Sequence, residues 1–158
     1  VVAVNKWDLV PDKGPNSLDR HKKALLADMP SLGFAAIVYT AAPENAKTGQ
    51  RVHRILDLAQ AAYANSQRRI QTSVLNQVLQ DAVTASPPPA IKNKRLKLLY
   101  ATQVKAQPPT FVLFVNNAKL LNDSYRRYLE RKLRENVELT GTPIELLARS
   151  RESNKERG

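Results

Sequence analysis

Residues 1–67 alternate between short apolar runs and amphipathic helices, and this alternation limits the fold more than any other feature of the chain. The apolar runs cover 1–4 and 34–39, and the helical patterns cover 17–29 and 51–66. Buried strands that alternate with helices are typical of a parallel sheet with crossover helices. We therefore expect the last two strands of an α/β sheet. Because a buried strand is a poor natural N-terminus, we also expect a chain that starts inside a domain.

After residue 68 the pattern changes to helix, strand, strand, helix, strand. The first strand is predicted to have a basic face, and the residues predicted to lie on its opposite face are Leu96, Leu98, Tyr100, Thr102 and Val104. The next strand is predicted to pair with it in antiparallel fashion. The expected elements are helices over 72–85 and 123–135 and strands over 95–105, 110–115 and 144–148. We thus predict an α/β domain part over 1–67, an α+β domain over 68–150 and a charged, disordered tail over 151–158.

Asn5-Lys6-Trp7-Asp8 directly follows the first predicted strand, at the carboxyl end where open parallel sheets bind ligands. The Asp8 carboxylate can accept two hydrogen bonds from the ring N–H and the exocyclic amine that guanine has and adenine lacks. The Asn5 amide can bond the outer purine nitrogen, and the Lys6 stem can lie along the ring. The side chain of Trp7 is free to pack against the domain or to cover the base. This spacing predicts guanine recognition, and the alternative is that Asp8 only caps a turn.

A second loop, Thr40-Ala41-Ala42, ends the next predicted strand. In such a sheet its backbone amides lie beside the first loop, where they can donate to the guanine carbonyl oxygen. Ala41 and Ala42 have small side chains, which let the base approach. The sequence therefore predicts a guanine site made by two loops.

The formal net charge of +11 is concentrated in the second half of the chain. Residues 1–67 hold eight Lys or Arg against six acids, whereas residues 68–158 hold seventeen against eight. Such charge attracts polyanions through counterion release, and the alternative is a solvated basic face. The absence of cysteine and the presence of only two histidines, His21 and His53, argue against a metal site, and we expect both histidines at the surface. No apolar run is long enough for a membrane span, so we expect no membrane partner.

Six segments of the chain resemble the Der family, also called EngA. These GTPases have two tandem nucleotide-binding domains and a KH-like domain, and they act in large ribosomal subunit assembly. The matching segments are NKWD at 5–8, TGQRV at 48–52, TSVLNQVLQDAV at 72–83, ATQVKAQPPTFVLFVNN at 101–117, SYRRYLERKLRE at 124–135 and GTPIELLARSR at 141–151. The resemblance implies the end of a P-loop GTPase-type parallel sheet followed by a KH-like domain. It thus identifies the chain as a C-terminal fragment of a GTPase.

The resemblance implies that Asn5, Lys6 and Asp8 bind the guanine of GTP or GDP and that the Ala42 amide contacts its oxygen. The chain departs from the family at Ala41, where a serine is usual, and at residues 43–47, which lengthen the loop and are expected to weaken guanine affinity. It contains no G-x-x-x-x-G-K-[ST] phosphate loop and no switch residues. We therefore expect no hydrolysis by this chain alone, and we expect the Mg²⁺ ligands of the parent protein to lie outside it.

The second domain lacks the Gly-x-x-Gly loop with which ordinary KH domains clamp a nucleic-acid backbone. Its cations are the remaining means of contact with RNA phosphates. The alternative is a solvated helix, with Arg126 paired to Glu130 and Arg131 to Glu135. The RNA-contact candidates are Lys94, Arg95, Lys97, Arg127, Arg131 and Arg134.

The leading hypothesis is a nucleotide-switched assembly factor that docks on rRNA of the pre-ribosomal large subunit. A second hypothesis is a non-enzymatic RNA-binding module with a degenerate GTPase remnant, and a third is an interaction domain whose basic face meets an acidic protein. We expect a monomer in the bacterial cytoplasm or the plastid stroma.

Overall fold

The chain divides into two compact units in the computed structural model, which describes residues 1–11, 13–41 and 49–151. The first unit comprises Val1–Asn65 and Thr140–Pro143, and the second comprises Ser66–Leu139 and the chain from Ile144 onward. The short segment 140–143 therefore belongs to a different unit from the residues on either side of it. Ala42, the insertion at 43–47 and residues 152–158 of the tail predicted over 151–158 lie outside the described residues.

The first unit contains two parallel strands, β1 (Val2–Val4) and β2 (Ile37–Tyr39), as the alternating pattern predicts. Ala3 pairs with Val38 at the centre of the ladder. The second strand is shorter than expected, because the backbone N–H of Ala35 donates to the carbonyl of Leu32 at 2.8 Å. That turn keeps residues 34–36 out of the strand.

Two helices accompany this sheet, α1 (Ser17–Asp28) and α2 (Gly49–Ser66). Their predicted apolar stripes are only partly covered: Leu18 is 45% exposed, Leu56 is 56% exposed and Tyr63 is 65% exposed. A sheet of two short strands offers too little surface to bury both stripes.

Residues 140–143 pack on α2 through close backbone approach. The Thr142 hydroxyl donates to the Ala62 carbonyl at 2.9 Å, and the Asn65 side chain donates to the Thr140 carbonyl at 3.0 Å. Gly141 has a positive φ of 80°, and a Cβ added there would lie 2.6 Å from the Cβ of Ala62. Both the backbone conformation and the available space therefore require glycine at this position.

The second unit has the predicted order of helix, strand, strand, helix, strand, with one added hairpin. The elements are α3 (Thr72–Ala85), β3 (Ala90–Ile91), β4 (Lys94–Arg95), β5 (Leu98–Lys105), β6 (Thr110–Val115), α4 (Asp123–Asn136) and β7 (Glu145–Ser150). The main sheet has the order β5-β6-β7, with β5 and β6 antiparallel, as expected, and β6 and β7 parallel. The added hairpin pairs β3 and β4.

The faces predicted for the strand over 95–105 hold at Leu96, which is buried, and are wrong from Tyr100 onward. Ala101 is fully buried, whereas Tyr100 is 42% exposed and Val104 is 53% exposed. The register shifts between Leu98 and Tyr100, where an irregularity interrupts the pairing with β6. Since such an irregularity reverses the alternation of side chains, the residues after it point to the face opposite the one expected.

The core of the second unit lies between the sheet and the two helices. From α3, Leu75 and Leu79 are fully buried; from α4, Leu129 and Leu133 are 1% exposed or less. They form one cluster with sheet residues that include Phe111. Both helices predicted for this unit therefore bury one face in its core.

Tyr125 of α4 links this helix to the end of α3 through a hydrogen bond, and its ionisation makes the stability of the unit depend on pH in the alkaline range. Its hydroxyl donates to the Ser86 carbonyl at 2.7 Å. Burial, with a contribution from Tyr128, raises the pKa of Tyr125 from 10.0 to about 12. The folded chain thus holds this proton more tightly than the unfolded chain, so the stability it gives is complete below pH 10 and is lost as the pH rises towards 12.

We expect urea unfolding midpoints measured at several values across that pH window to fall more in the original chain than in Tyr125→Phe. Tyr100→Phe, at an exposed tyrosine, should keep the original pH dependence. Equal pH dependence in all three chains would contradict the assignment to Tyr125.

Two kinds of feature are not found in the parts of the chain that the structure describes. None of the helices there is both long enough and apolar enough to cross a membrane. Nor do three or more His, Cys, Asp or Glu side chains in those ranges come together as a possible metal site.

Candidate functional site

The guanine-motif residues lie in a loop that starts where β1 ends, and this loop is hydrogen-bonded to the residue after β2. The backbone N–H of Trp7 donates to the Thr40 carbonyl at 3.0 Å. The Thr40 hydroxyl donates to Oδ1 of Asn5 at 3.3 Å. Because Thr40 is buried and Asn5 is exposed, this link is only partly shielded from water. The structure thus brings the two predicted loops side by side, and it leaves the Asn5 amide N–H groups for a ligand.

Lys6 and Asp8 present charged side chains from a tight turn. Lys6 has a left-handed backbone (φ 58°, ψ 33°) and precedes the 3-10 turn Trp7–Leu9, which contains Asp8. The Asp8 backbone carbonyl accepts from Nζ of Lys13 at 3.0 Å. Its exposed carboxylate has no hydrogen-bond or ion-pair partner within residues 1–11, 13–41 and 49–151. Both carboxylate oxygens can therefore accept from a ligand that offers two adjacent donors.

Trp7 anchors this loop in a cluster of three rings. It is 8% exposed, and its ring centroid lies 5.3 Å from that of His21 and 4.6 Å from that of Tyr39. The His21 and Tyr39 side chains also meet, with Nδ1 and the hydroxyl oxygen 3.2 Å apart. His21 is half-buried in this cluster, so it is less exposed than the predicted surface position implies. Trp7 therefore packs against α1 and β2.

The second loop is described only as far as Ala41, which is half-buried. Ala42, the predicted donor to the guanine oxygen, lies outside the described residues. Thr40 contributes a side-chain hydrogen bond to Asn5 that the sequence analysis did not predict. A hydroxyl at the end of a strand, next to a loop with an amide side chain, was the available signal.

Three of the RNA-contact candidates lie on or beside the short hairpin of the second unit. Lys94 and Arg95 form β4, and Lys97 precedes β5. All three side chains are exposed. None has an ion-pair partner in the part of the chain that the structure describes. Their charge is therefore available to a polyanion.

The three candidates on α4 differ from one another. Arg127 is exposed and has no ion-pair partner among the described residues. Arg131 is 67% exposed and pairs with Glu135 at 3.7 Å. Arg134 is 21% exposed and pairs with Glu130 at 3.2 Å. The arginines at 127, 131 and 134 are thus not one equally accessible face.

Comparison with known proteins identifies relatives of both units of the chain. A family model described as the KH-domain-like domain of EngA bacterial GTPase enzymes, C-terminal, matches residues 69–149. The GTPase Der of Clostridium tetani is 44% identical over 151 residues, which are 96% of this chain and 33% of that protein. For the GTPase Der of Limosilactobacillus fermentum the identity is 42% over 151 residues, again 96% of this chain and 34% of that protein.

A third relative, the GTPase Der of Clostridium acetobutylicum, is 42% identical over 153 residues, which are 97% of this chain and 34% of that protein. The chain therefore spans about a third of the length of the curated relatives it matches. The family model covers half of the chain, and the relatives cover nearly all of it. The chain belongs to the Der (EngA) family of GTPases.

Proposed function

We propose that this chain supplies the guanine-reading loops and the rRNA-docking domain of a GTP-binding factor for assembly of the large ribosomal subunit. The observation that carries the guanine part is the pair of adjacent loops after β1 and β2, with the Asp8 carboxylate exposed beside them. Hydrolysis of GTP with Mg²⁺ belongs to the proposal for the whole protein, and relatives with the name GTPase Der support it.

The groups at these loops suit guanine. Asp8 can accept from the ring N–H and the exocyclic amine, while Asn5 keeps its amide donor for the outer purine nitrogen because its oxygen is held by Thr40. The Lys6 stem is exposed beside them and can cover the flat face of the base. Adenine presents no pair of donors to a carboxylate at this edge, so the same groups select against it.

An NMR titration of the chain with guanosine and adenosine tests the guanine part. We expect guanosine to shift the amide signals of residues 5–8 and 40–42 with an affinity on the order of millimolar, as for a ligand held only by its base. Adenosine should leave those signals in place. Equal shifts with both nucleosides would refute guanine recognition.

Replacing Trp7 with alanine is expected to weaken guanosine binding although Trp7 need not contact the base. The substitution removes two ring contacts, each worth about 0.5–1.5 kcal/mol, and so lowers the affinity about tenfold. Trp7→Phe keeps an aromatic ring between α1 and β2 and should recover most of the affinity. Titrations followed by NMR measure both variants, and Tyr100→Phe in the other unit is the control. Unchanged affinity in Trp7→Ala would show that the ring cluster does not position the loop.

Retention of rRNA on a filter at two salt concentrations tests the docking part. The unpaired cations of the second unit support it, and counterion release predicts that affinity falls steeply with salt. The same cations also suit the alternative of an RNA-binding module without nucleotide control. That alternative predicts RNA retention together with a failed guanosine titration. If RNA were retained at neither salt concentration, both the docking proposal and the RNA-binding-module alternative would be refuted. An acidic protein would then be the favoured partner.

A further inference from the structure

The hairpin formed by β3 and β4 concentrates more uncompensated charge than any other described segment of its length in the second unit. Residues 92–97 read Lys-Asn-Lys-Arg-Leu-Lys, with four cations and no acid. All four cationic side chains are exposed, and none forms an ion pair with a described carboxylate. The segment is thus a compact source of positive potential.

The backbone of this segment is fixed to the core of its unit. Leu96 is 5% exposed and belongs to the core cluster, and Ile91 packs against the same cluster. The Asn116 side chain donates to the Arg95 carbonyl at 2.9 Å and accepts from the Lys97 N–H at 2.8 Å. The cations therefore extend from a held backbone, so a ligand does not have to order the segment first.

The tip of the hairpin puts a lysine where the backbone conformation disfavours one. Lys92 and Asn93 connect the two strands with φ values of 48° and 61°, the combination that a type I′ turn requires. Asparagine and glycine are usual at such positions, and lysine is not. Lys92 thus adds a cation to the tip at some cost in backbone strain, and such strain is more common at functional positions.

All the cations of α4 except Arg127 pair with acids of the same helix. Arg126 pairs with Asp123 at 3.4 Å, and Lys132 pairs with Glu135 at 2.7 Å. Arg131 and Arg134 also have partners on α4. A polyanion that binds this helix must compete with those carboxylates, whereas at the hairpin it meets no such competition.

We propose that the β3–β4 hairpin is the principal RNA-docking element of this chain. Lys92, Lys94, Arg95 and Lys97 contact phosphates of a structured RNA, and Asn116 positions the backbone from which they extend. This inference rests on the proposed rRNA docking and assigns it to one element. It also places the arginines of α4 in a secondary role.

The salt dependence of rRNA binding tests this assignment, since each phosphate contact contributes about 0.9 to the slope of log affinity against log salt. The triple variant Lys94→Gln, Arg95→Gln and Lys97→Gln should reduce the steepness of this slope by about 2 to 3. The matched variant Arg127→Gln, Arg131→Gln and Lys132→Gln removes the same charge from α4 and should lower it by less than about 1. Circular dichroism checks that both variants fold.

A single substitution at the tip removes charge without disturbing the turn. Asparagine suits a left-handed backbone, so Lys92→Asn should fold at least as well as the original chain and lower the slope by about 1. An unchanged slope in Lys92→Asn would show that the tip of the hairpin does not contact the RNA. Equal losses in the two triple variants would overturn the hairpin assignment and leave rRNA docking in place. If the original chain did not bind rRNA at all, the proposed docking function would fail, and this inference with it.

Discussion

Replacing Asp8 with asparagine should abolish guanosine binding and create binding of xanthosine. The carboxylate accepts from two donors of guanine, and each hydrogen bond to a charged group is worth about 1.5–3 kcal/mol. Loss of both corresponds to a decrease in affinity of more than about 100-fold. Xanthine carries a carbonyl where guanine carries the exocyclic amine. The asparagine amide can donate to that carbonyl and accept from the neighbouring ring N–H.

The measurement is an NMR titration of the variant with guanosine and with xanthosine, monitored at the amides of residues 5–8. Asp57→Asn, which neutralises an exposed carboxylate on α2, is the matched control and should bind guanosine like the original chain. Because Asp8 is exposed and its carboxylate has no described partner, the substitution should leave the fold intact. Retained guanosine binding in Asp8→Asn would show that the carboxylate does not read the base.

Hydrophobic periodicity predicted the order of the main elements because each main strand and helix buries a regular set of side chains. Leu75 and Leu79 of α3, and Leu129 and Leu133 of α4, are buried as their spacing predicts. The β3–β4 hairpin was missed because each of its strands has two residues, too few to show a period. Its turn also lacks glycine, since Lys92 and Asn93 take the left-handed positions.

The sequence also located the two loops of the candidate guanine site, because strand ends in a parallel sheet meet at one edge. It could not predict what holds those loops together. The bond from Thr40 to Asn5 and the packing of Trp7 on His21 depend on distances between elements that are far apart in the chain. Similarly, no local pattern indicates that residues 140–143 pack on α2, because that contact depends on backbone approach at Gly141.

Among the glycines whose surroundings the structure describes (Gly14, Gly33 and Gly141), Gly141 is therefore the one whose replacement by alanine is expected to destabilise the chain most. Alanine costs about 1–2 kcal/mol in a left-handed backbone conformation. The new methyl group would meet the Ala62 side chain at 2.6 Å, and relief of such crowding costs about 1–3 kcal/mol more. The expected loss in the free energy of unfolding is about 2–5 kcal/mol.

Urea unfolding monitored by tryptophan fluorescence measures this loss in the unit concerned, because Trp7 is the only tryptophan and lies in the same unit as Gly141. Gly14→Ala is the control: a Cβ there meets nothing within 4 Å, and its φ is not in the left-handed range. Its midpoint should equal or exceed that of the original chain, because alanine reduces the entropy of the unfolded chain. Equal midpoints in the two variants would show that the approach of Gly141 to Ala62 does not hold the segment 140–143 on α2. A loss confined to Gly141→Ala would establish that this short segment stabilises the unit that carries the guanine-motif loop.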